Sequence, residues 1–249
     1  MKKLTCLITG GSGSLGSRLK NFLIDDFKIL TPPKNVLDIT KPDLIEEFFN
    51  EHSIDIVIHT AALARMSLCE KNPGDAIKIN SVGTLNLVNT VNKFYQSERK
   101  IIKFLYISTD GVYASTSGNY SETSETIPYN TYGWSKLLGE FVVQTLLDFC
   151  IVRTRFFDPD NILFEESADD ILTSSIEIDL LVKELKFIIE KDFQGIINVG
   201  SEKKSDYDRY KIYKPSIKKC TKADIVKSLD FKIATDASMN ISVLLGLKK

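Results

Sequence analysis

The sequence holds few of the residues that build metal centres: four cysteines and two histidines in 249 residues. Cys6, Cys69, Cys150 and Cys220 stand far apart, so there is no CxxC pair and no zinc-ligand spacing. His52 and His59 have no partner motif. No metal site is expected, and four scattered thiols suit a reducing compartment. Charge of one sign is also lacking. The balance of 32 Lys+Arg against 33 Asp+Glu leaves a net −1, which removes the electrostatic argument for a nucleic-acid partner. No apolar run approaches the roughly 18 residues that span a bilayer. The run after Met1-Lys2-Lys3 meets glycine by Gly10, too early for a secretory signal. The expectation is a soluble cytoplasmic protein with no membrane partner.

What the sequence does hold is globular in balance, 43 % hydrophobic and 26 % charged. Its first half alternates short apolar runs with amphipathic stretches. Residues 4–9, 28–30, 55–59, 101–108, 150–154 and 196–199 read as buried strands. Residues 15–26, 40–50, 75–94, 132–147 and 178–190 carry helical periodicity, with Thr40 expected to cap the second helix. Strands spaced by helices predict an α/β fold, a doubly wound parallel sheet of Rossmann type. Residues 158–175 are acidic and aperiodic, and 201–222 are rich in Lys and Tyr. The expected organisation is a dinucleotide-binding core over 1–157, completed by about 176–200. Residues 158–175 and 201–249 would then form a small substrate-binding lobe.

The turn Gly10-Gly11-Ser12-Gly13-Ser14-Leu15-Gly16 joins the first strand to the first helix. Gly10 permits a tight turn, Gly13 lets backbone approach a pyrophosphate, and Gly16 lets the helix lie close to the sheet. The helix N-terminus adds free N–H groups and a positive dipole end. No lysine lies within the turn, so it is not a nucleoside-triphosphate loop.

Tyr132 and Lys136 stand four apart at a helix start and share one face. An ammonium near a phenol is expected to lower its pKa and make it a general acid for a carbonyl under reduction. Thr109, at the carboxyl end of the fourth strand, offers a hydroxyl to the same oxygen.

In this order the motifs resemble an extended short-chain dehydrogenase/reductase, and most closely the dTDP-4-dehydrorhamnose reductase group. The matching strings are TGGSGSLG at 9–16, LDIT at 37–40, HTAAL at 59–63, CEKNP at 69–73, ISTDGVY at 107–113, PYNTYGWSKLLGE at 128–140 and IVRT at 151–154, with Asn80. The resemblance implies that Thr109, Tyr132 and Lys136 form the catalytic set. It implies that Gly13, Ser14 and Leu15 hold a pyrophosphate, with Gly10, Ser12 and Gly16 completing the cradle. Asp38 and Ile39 would face the adenine. Ala61, Ala62 and Leu63 would line the cofactor cleft, and Tyr132 and Lys136 would also touch the cofactor. Thr109, Asp110 and Phe156 would meet the substrate. The implied activity is NAD(P)H-dependent reduction of a nucleotide-activated keto-sugar, a 4-keto-6-deoxyhexose, for surface polysaccharide. A homodimer is compatible with it.

Four departures stand out. Thr31 and Pro32 follow the second strand where an acid would hold a ribose 2′-hydroxyl, and Lys34 is near. This tilts the cofactor to NADP(H) over NAD(H). Arg65-Met66-Ser67-Leu68 lacks the family's acid. Arg155-Phe156-Phe157-Asp158-Pro159 replaces a Ser-Trp-Val-Tyr/Phe-Gly type of sequence. The C-terminal lobe is short and barely matches. Two other readings stay open: a non-catalytic NAD(P)-binding regulatory subunit and a sugar-nucleotide epimerase. A dehydratase would need an acidic pair that Thr109-Asp110-Gly111 lacks.

Lesser candidates have plainer readings. His59 reads as a packed residue, Glu165, Glu166, Asp169 and Asp170 as solvated acids, and Trp134 as packing. Lys203, Lys204, Arg209, Lys218 and Lys219 are either surface charge or partners for a substrate diphosphate.

Overall fold

The computed structural model describes residues 3–227, 229 and 231–249. Met1 and Lys2 of the N-terminal reading, and Ser228 and Asp230 of the expected C-terminal lobe, lie outside them. The chain runs β1 (Thr5–Thr9), α1 (Ser14–Leu23), β2 (Lys28–Leu30), α2 (Pro42–Glu51), β3 (Ile56–His59), α3 (Met66–Lys71) and α4 (Pro73–Ala76). A π-helical turn (Ile77–Val82) leads into α5 (Gly83–Glu98) and β4 (Lys103–Ile107). A 3₁₀ turn (Asp110–Val112), α6 (Thr131–Val143), β5 (Phe149–Thr154) and β6 (Phe156–Phe157) follow. Then come β7 (Glu166–Ala168), β8 (Leu172–Thr173), β9 (Ile176–Glu177), α7 (Ile178–Glu190) and β10 (Gly195–Val199). The chain closes with β11 (Lys204–Ser205), α8 (Asp206–Tyr210), β12 (Lys218–Cys220), α9 (Lys222–Val226) and α10 (Ser242–Leu247).

Six strands form one parallel sheet in the order β10-β5-β4-β3-β1-β2. Neighbouring residues on each strand feed opposite cores, as strand geometry requires. Ile8, Ile58 and Leu105 pack with Leu15, Leu19 and Leu23 of α1 and Leu181 and Leu185 of α7. Leu7, Val57 and Phe104 pack with Ile45 and Phe49 of α2, Leu87 and Val91 of α5 and Val143 of α6. Burial on both faces is why the strands read as unbroken apolar runs. The chain leaves β1 toward β2 on one side and returns to β3 on the other. The strand order therefore reverses at β1, and a crevice opens above its carboxyl end, where such sheets take ligands.

Three local features differ from the sequence reading. Thr40 does not cap α2. The helix starts at Pro42, and Lys41 before it is extended (φ −121°, ψ 95°), as a residue preceding proline must be. Thr40 instead donates its N–H and hydroxyl to Asp38 Oδ1 at 2.9 and 2.8 Å. The helix expected over 75–94 is interrupted by the π turn, which has the same apolar faces and so no distinct sequence pattern. The polar stretch 158–175 contains β7 and β8, which pair with β12 and β11. At two and three residues these strands are too short to show a period.

Candidate active site

The glycine turn closes tightly. Gly10 takes φ +71°, and a Cβ there would lie 2.8 Å from the Ala61 backbone. A Cβ on Gly16 would meet the Gly10 carbonyl at 2.3 Å. The turn ends in Gly13, the N-cap of α1, which offers no side-chain cap. The first N–H groups of the helix therefore remain free for an anion. This cradle borders a groove of about 620 Å³ that Gly10, Ser12, Gly13, Asp38, Ile39, Ala61, Ala62 and Leu63 line, together with Lys20, Thr31 and Lys34.

Two polar clamps shape that groove. Burial works to raise the Asp38 carboxyl, but its two bonds from Thr40 and the nearby Lys34 and Lys41 hold it below its usual value. Asn80, within the π turn, accepts from the Leu63 N–H at 2.7 Å, donates to the Leu63 carbonyl at 3.1 Å and donates to Ser135 Oγ at 2.9 Å. It thus ties the segment after β3 to α6. The π turn brings this side chain inward, a common use of such irregularity near functional sites.

A second cavity, about 480 Å³, shares Gly10, Gly13, Thr60 and Ala62 with the first. Ser14, Leu15 and Gly16 border it, as do Thr109, Asp110, Tyr132, Lys136 and Phe156. Every expected site residue therefore lines one of two adjoining cavities at the switch point of the sheet. Tyr132 and Lys136 get there because Asn130 caps α6, accepting from the Gly133 N–H at 2.8 Å. Gly133 also permits close approach, since a Cβ on it would meet the Gly111 carbonyl at 2.2 Å. Thr109 sits at the exit of β4 and accepts from the Gly111 N–H at 3.0 Å.

The electrostatics correct one expectation. The Tyr132 phenol is pushed up rather than down, by burial first and by the Asp110 carboxylate second, with Arg155 opposing. Lys136 is not among the charges that move the Tyr132 phenol; its ammonium lies 3.9 Å from the centre of the Tyr106 ring. Burial pushes Lys136 itself down to about 7, against the raising effect of Glu140.

Reasoning from sequence missed Tyr129, Asn130, Arg155 and Tyr210, which also line the second cavity. Arg155 donates to Asp110 Oδ2 at 2.6 Å. A cation within the only stretch of 151–159 that departs from the family pattern was the available signal. His59 is a packed residue: its two nitrogens meet Thr9 and Thr84 at 2.7 and 3.0 Å. Burial, and then Lys136, keep it neutral. Trp134 is 48 % exposed and lines neither cavity. Lys203, Lys204, Arg209, Lys218 and Lys219 line neither cavity. Lys203 pairs with Asp236 and Lys219 with Asp169, and Arg209 bonds to Ser201 and to the carbonyls of Thr173 and Glu202. Among the acids, Glu165 pairs with Lys214. Among the described residues no group of three or more His, Cys, Asp or Glu could hold a metal, and no helix is long and apolar enough to cross a membrane.

Residues 4–161 match the RmlD substrate binding domain family. The chain belongs to that family. It is 30 % identical over 143 residues to a dTDP-4-dehydrorhamnose reductase of Aggregatibacter actinomycetemcomitans, covering 56 % of this chain and 47 % of the relative. It is 30 % identical over 151 residues to the spore coat polysaccharide biosynthesis protein SpsK of Bacillus subtilis, covering 59 % and 51 %. The chain spans about half the length of the curated relatives it matches. In structure it is similar to a dTDP-4-dehydrorhamnose reductase from Bacillus anthracis in complex with NADP. The TM-score is 0.88 at 24 % identity, with 98 % of this chain and 92 % of the other covered. At that identity the likeness establishes the Rossmann-like fold.

Proposed function

We propose that the chain reduces a keto-sugar carried on a nucleotide, with NADPH as the reductant. The observation that carries this reading is the meeting of Thr109, Tyr132 and Lys136 in one cavity that runs into a glycine-cradled groove. The residues present fit a dinucleotide. The uncapped N-terminus of α1 suits the pyrophosphate, and Asp38 and Ile39 suit an adenosine. Lys136 and the glycine turn would hold a reduced nicotinamide cofactor, which would supply the hydride for the keto carbon.

The side chains do the rest. Tyr132 carries its proton at neutral pH, as an ordinary phenol does, and serves as the acid toward the oxygen that becomes the alcohol. Thr109 directs its hydroxyl to the same oxygen and orients it. Lys136 would hold the nicotinamide ribose with its ammonium. Asp110 and Phe156 border the sugar. The absence of an acid at Thr31, with Lys20 and Lys34 in the groove, favours the 2′-phosphate of NADPH. Relatives named for dTDP-4-dehydrorhamnose reduction and for spore coat polysaccharide support a 4-keto-6-deoxyhexose and a role in polysaccharide synthesis.

The test pairs the parent with Tyr132→Phe in an NADPH-oxidation assay over a panel of keto-sugar nucleotides. The parent oxidises NADPH on at least one of them. Tyr132→Phe keeps NADPH affinity and loses turnover by about 10²–10⁴-fold. Tight NADPH binding without oxidation on any substrate would instead make this a regulatory dinucleotide binder.

A further inference from the structure

Asp110 lies between two donors in the substrate cavity and is almost wholly buried. Arg155 Nε reaches its Oδ2 at 2.6 Å, a short charge-assisted bond. Thr109 Oγ1 reaches its Oδ1 at 3.2 Å. That is long for a hydroxyl on a carboxylate, which usually sits at about 2.5–2.7 Å. Among the described residues Arg155 is the one cation within ion-pair distance of Asp110, and Asp110 the one carboxylate within that distance of Arg155. The guanidinium thus holds the greater share of the carboxylate's charge.

This division bears on the chemistry. A hydroxyl has a single proton. The Gly111 N–H already occupies one lone pair of Thr109 Oγ1. If Asp110 captured the proton fully, Thr109 would turn only lone-pair density toward an electron-rich keto oxygen. We propose that Arg155 is a positioning residue of the reducing centre: it holds the Asp110 carboxylate so that the Thr109 proton stays available to the substrate oxygen. The assignment rests on the reductase reading. Asp206, a further negative charge near Arg155, is bonded to Thr173 at 3.0 Å and leaves this arrangement intact.

The experiment is a double-mutant cycle on the full chain, with NADPH and the keto-sugar nucleotide panel. Arg155→Met lowers kcat by about 10²-fold, the loss typical of one misdirected hydrogen-bond donor, and leaves the KM for NADPH unchanged. In an Asp110→Asn background the same change alters kcat by less than about threefold, because the charge that needed holding is gone. Arg155→Lys recovers part of the loss. A loss of equal size in both backgrounds, or an unchanged kcat in Arg155→Met, overturns the assignment. A second measurement needs no turnover. Crystal structures of the parent and Arg155→Met should show the Thr109–Asp110 contact contracting from 3.2 Å, and an unchanged distance overturns the assignment by itself. A parent that binds NADPH and reduces no sugar overturns the reductase reading, with the contact distance still deciding how Arg155 acts on Thr109.

Discussion

The Lys136 ammonium rests on the face of Tyr106, 3.9 Å from the ring centre. A cation on an aromatic face is attracted electrostatically, yet this does not offset burial, which brings the lysine down to about 7. Unfolded, it keeps its proton to about pH 10.4. Between these values the unfolded chain binds more protons, so stability rises with pH. Below pH 7 both states are charged and the penalty is complete. Above about pH 8.5 the buried Cys6 and Cys150, both pushed up to about 12, act in the opposite direction. The usable window is therefore pH 7 to about 8.3. Across it the parent should gain about 1–2 kcal/mol more than Lys136→Met in urea unfolding. Equal slopes for the two proteins would show that Lys136 stays charged in the fold. The same variant should lose the proposed reduction while becoming the more stable apo-protein.

Gly139 explains how α6 comes so near the sheet. A Cβ on it would lie 2.2 Å from the Tyr106 hydroxyl and 2.7 Å from the ring carbon that bears it. The hydroxyl donates to the Lys136 carbonyl at 3.2 Å. On an open helix face Gly→Ala stabilises by up to about 1 kcal/mol. Here Gly139→Ala forces a fully buried ring or the helix to move and should destabilise by about 1–3 kcal/mol. Because Tyr132 and Lys136 ride on that helix, kcat should fall as well. Thermal unfolding with parallel turnover measurements checks both, and a raised melting temperature would contradict the close approach.

The parts legible in the sequence were those with a local signature. Strands such as Ile56–His59 and Lys103–Ile107 are apolar along their whole length because helices cover both faces. The glycine spacing and the Tyr132/Lys136 pair announce themselves through chain neighbours. What depended on distant residues was not readable. Asp110 and Arg155 are 45 positions apart and meet only in the fold. The direction of Lys136 depends on Tyr106, a residue on another element. The π turn hides within a continuous apolar pattern, and the two- and three-residue strands of the C-terminal region carry no period at all.

Glu140 and Arg153 form a buried ion pair behind the site, joined at 2.7 Å, with Ser108 Oγ donating to Glu140 Oε1 at 2.5 Å. Arg153 reaches on to Tyr113 at 3.0 Å, and Tyr113 to Asn198 of β10 at 2.8 Å. Removing one partner strands the other charge away from water. Glu140→Gln should therefore destabilise by about 3–5 kcal/mol, whereas an exposed pair such as Lys93–Glu46 should contribute about 0–1 kcal/mol. Glu140 also holds the Lys136 pKa up, so the variant should leave more of that lysine neutral. Denaturant unfolding of Glu140→Gln and Glu46→Gln tests the contrast, and equal small losses would mean that water reaches the buried pair.

The choice of cofactor should turn on three residues at the adenosine end of the groove. Thr31 follows β2 and packs on Gly11, where an added Cβ would lie 2.6 Å from the Thr31 Cβ. No carboxylate stands there to accept from a ribose 2′-hydroxyl. Lys34 is mostly exposed, with its ammonium only 3.9 Å from Asp38, and Lys20 lines the same groove. A loosely engaged ammonium is free to turn to a phosphate, a point charge that lysine pairs with well. Lys34→Glu keeps the loop and reverses the charge. It should weaken NADPH binding by about tenfold, the equivalent of about 1.4 kcal/mol, and leave NADH nearly unchanged. The loss should shrink as salt rises, because the pair is exposed and screened. Fluorescence titration of both cofactors at two ionic strengths measures this. An equal loss for NADPH and NADH would place Lys34 away from the 2′-phosphate and remove the basis for preferring NADP.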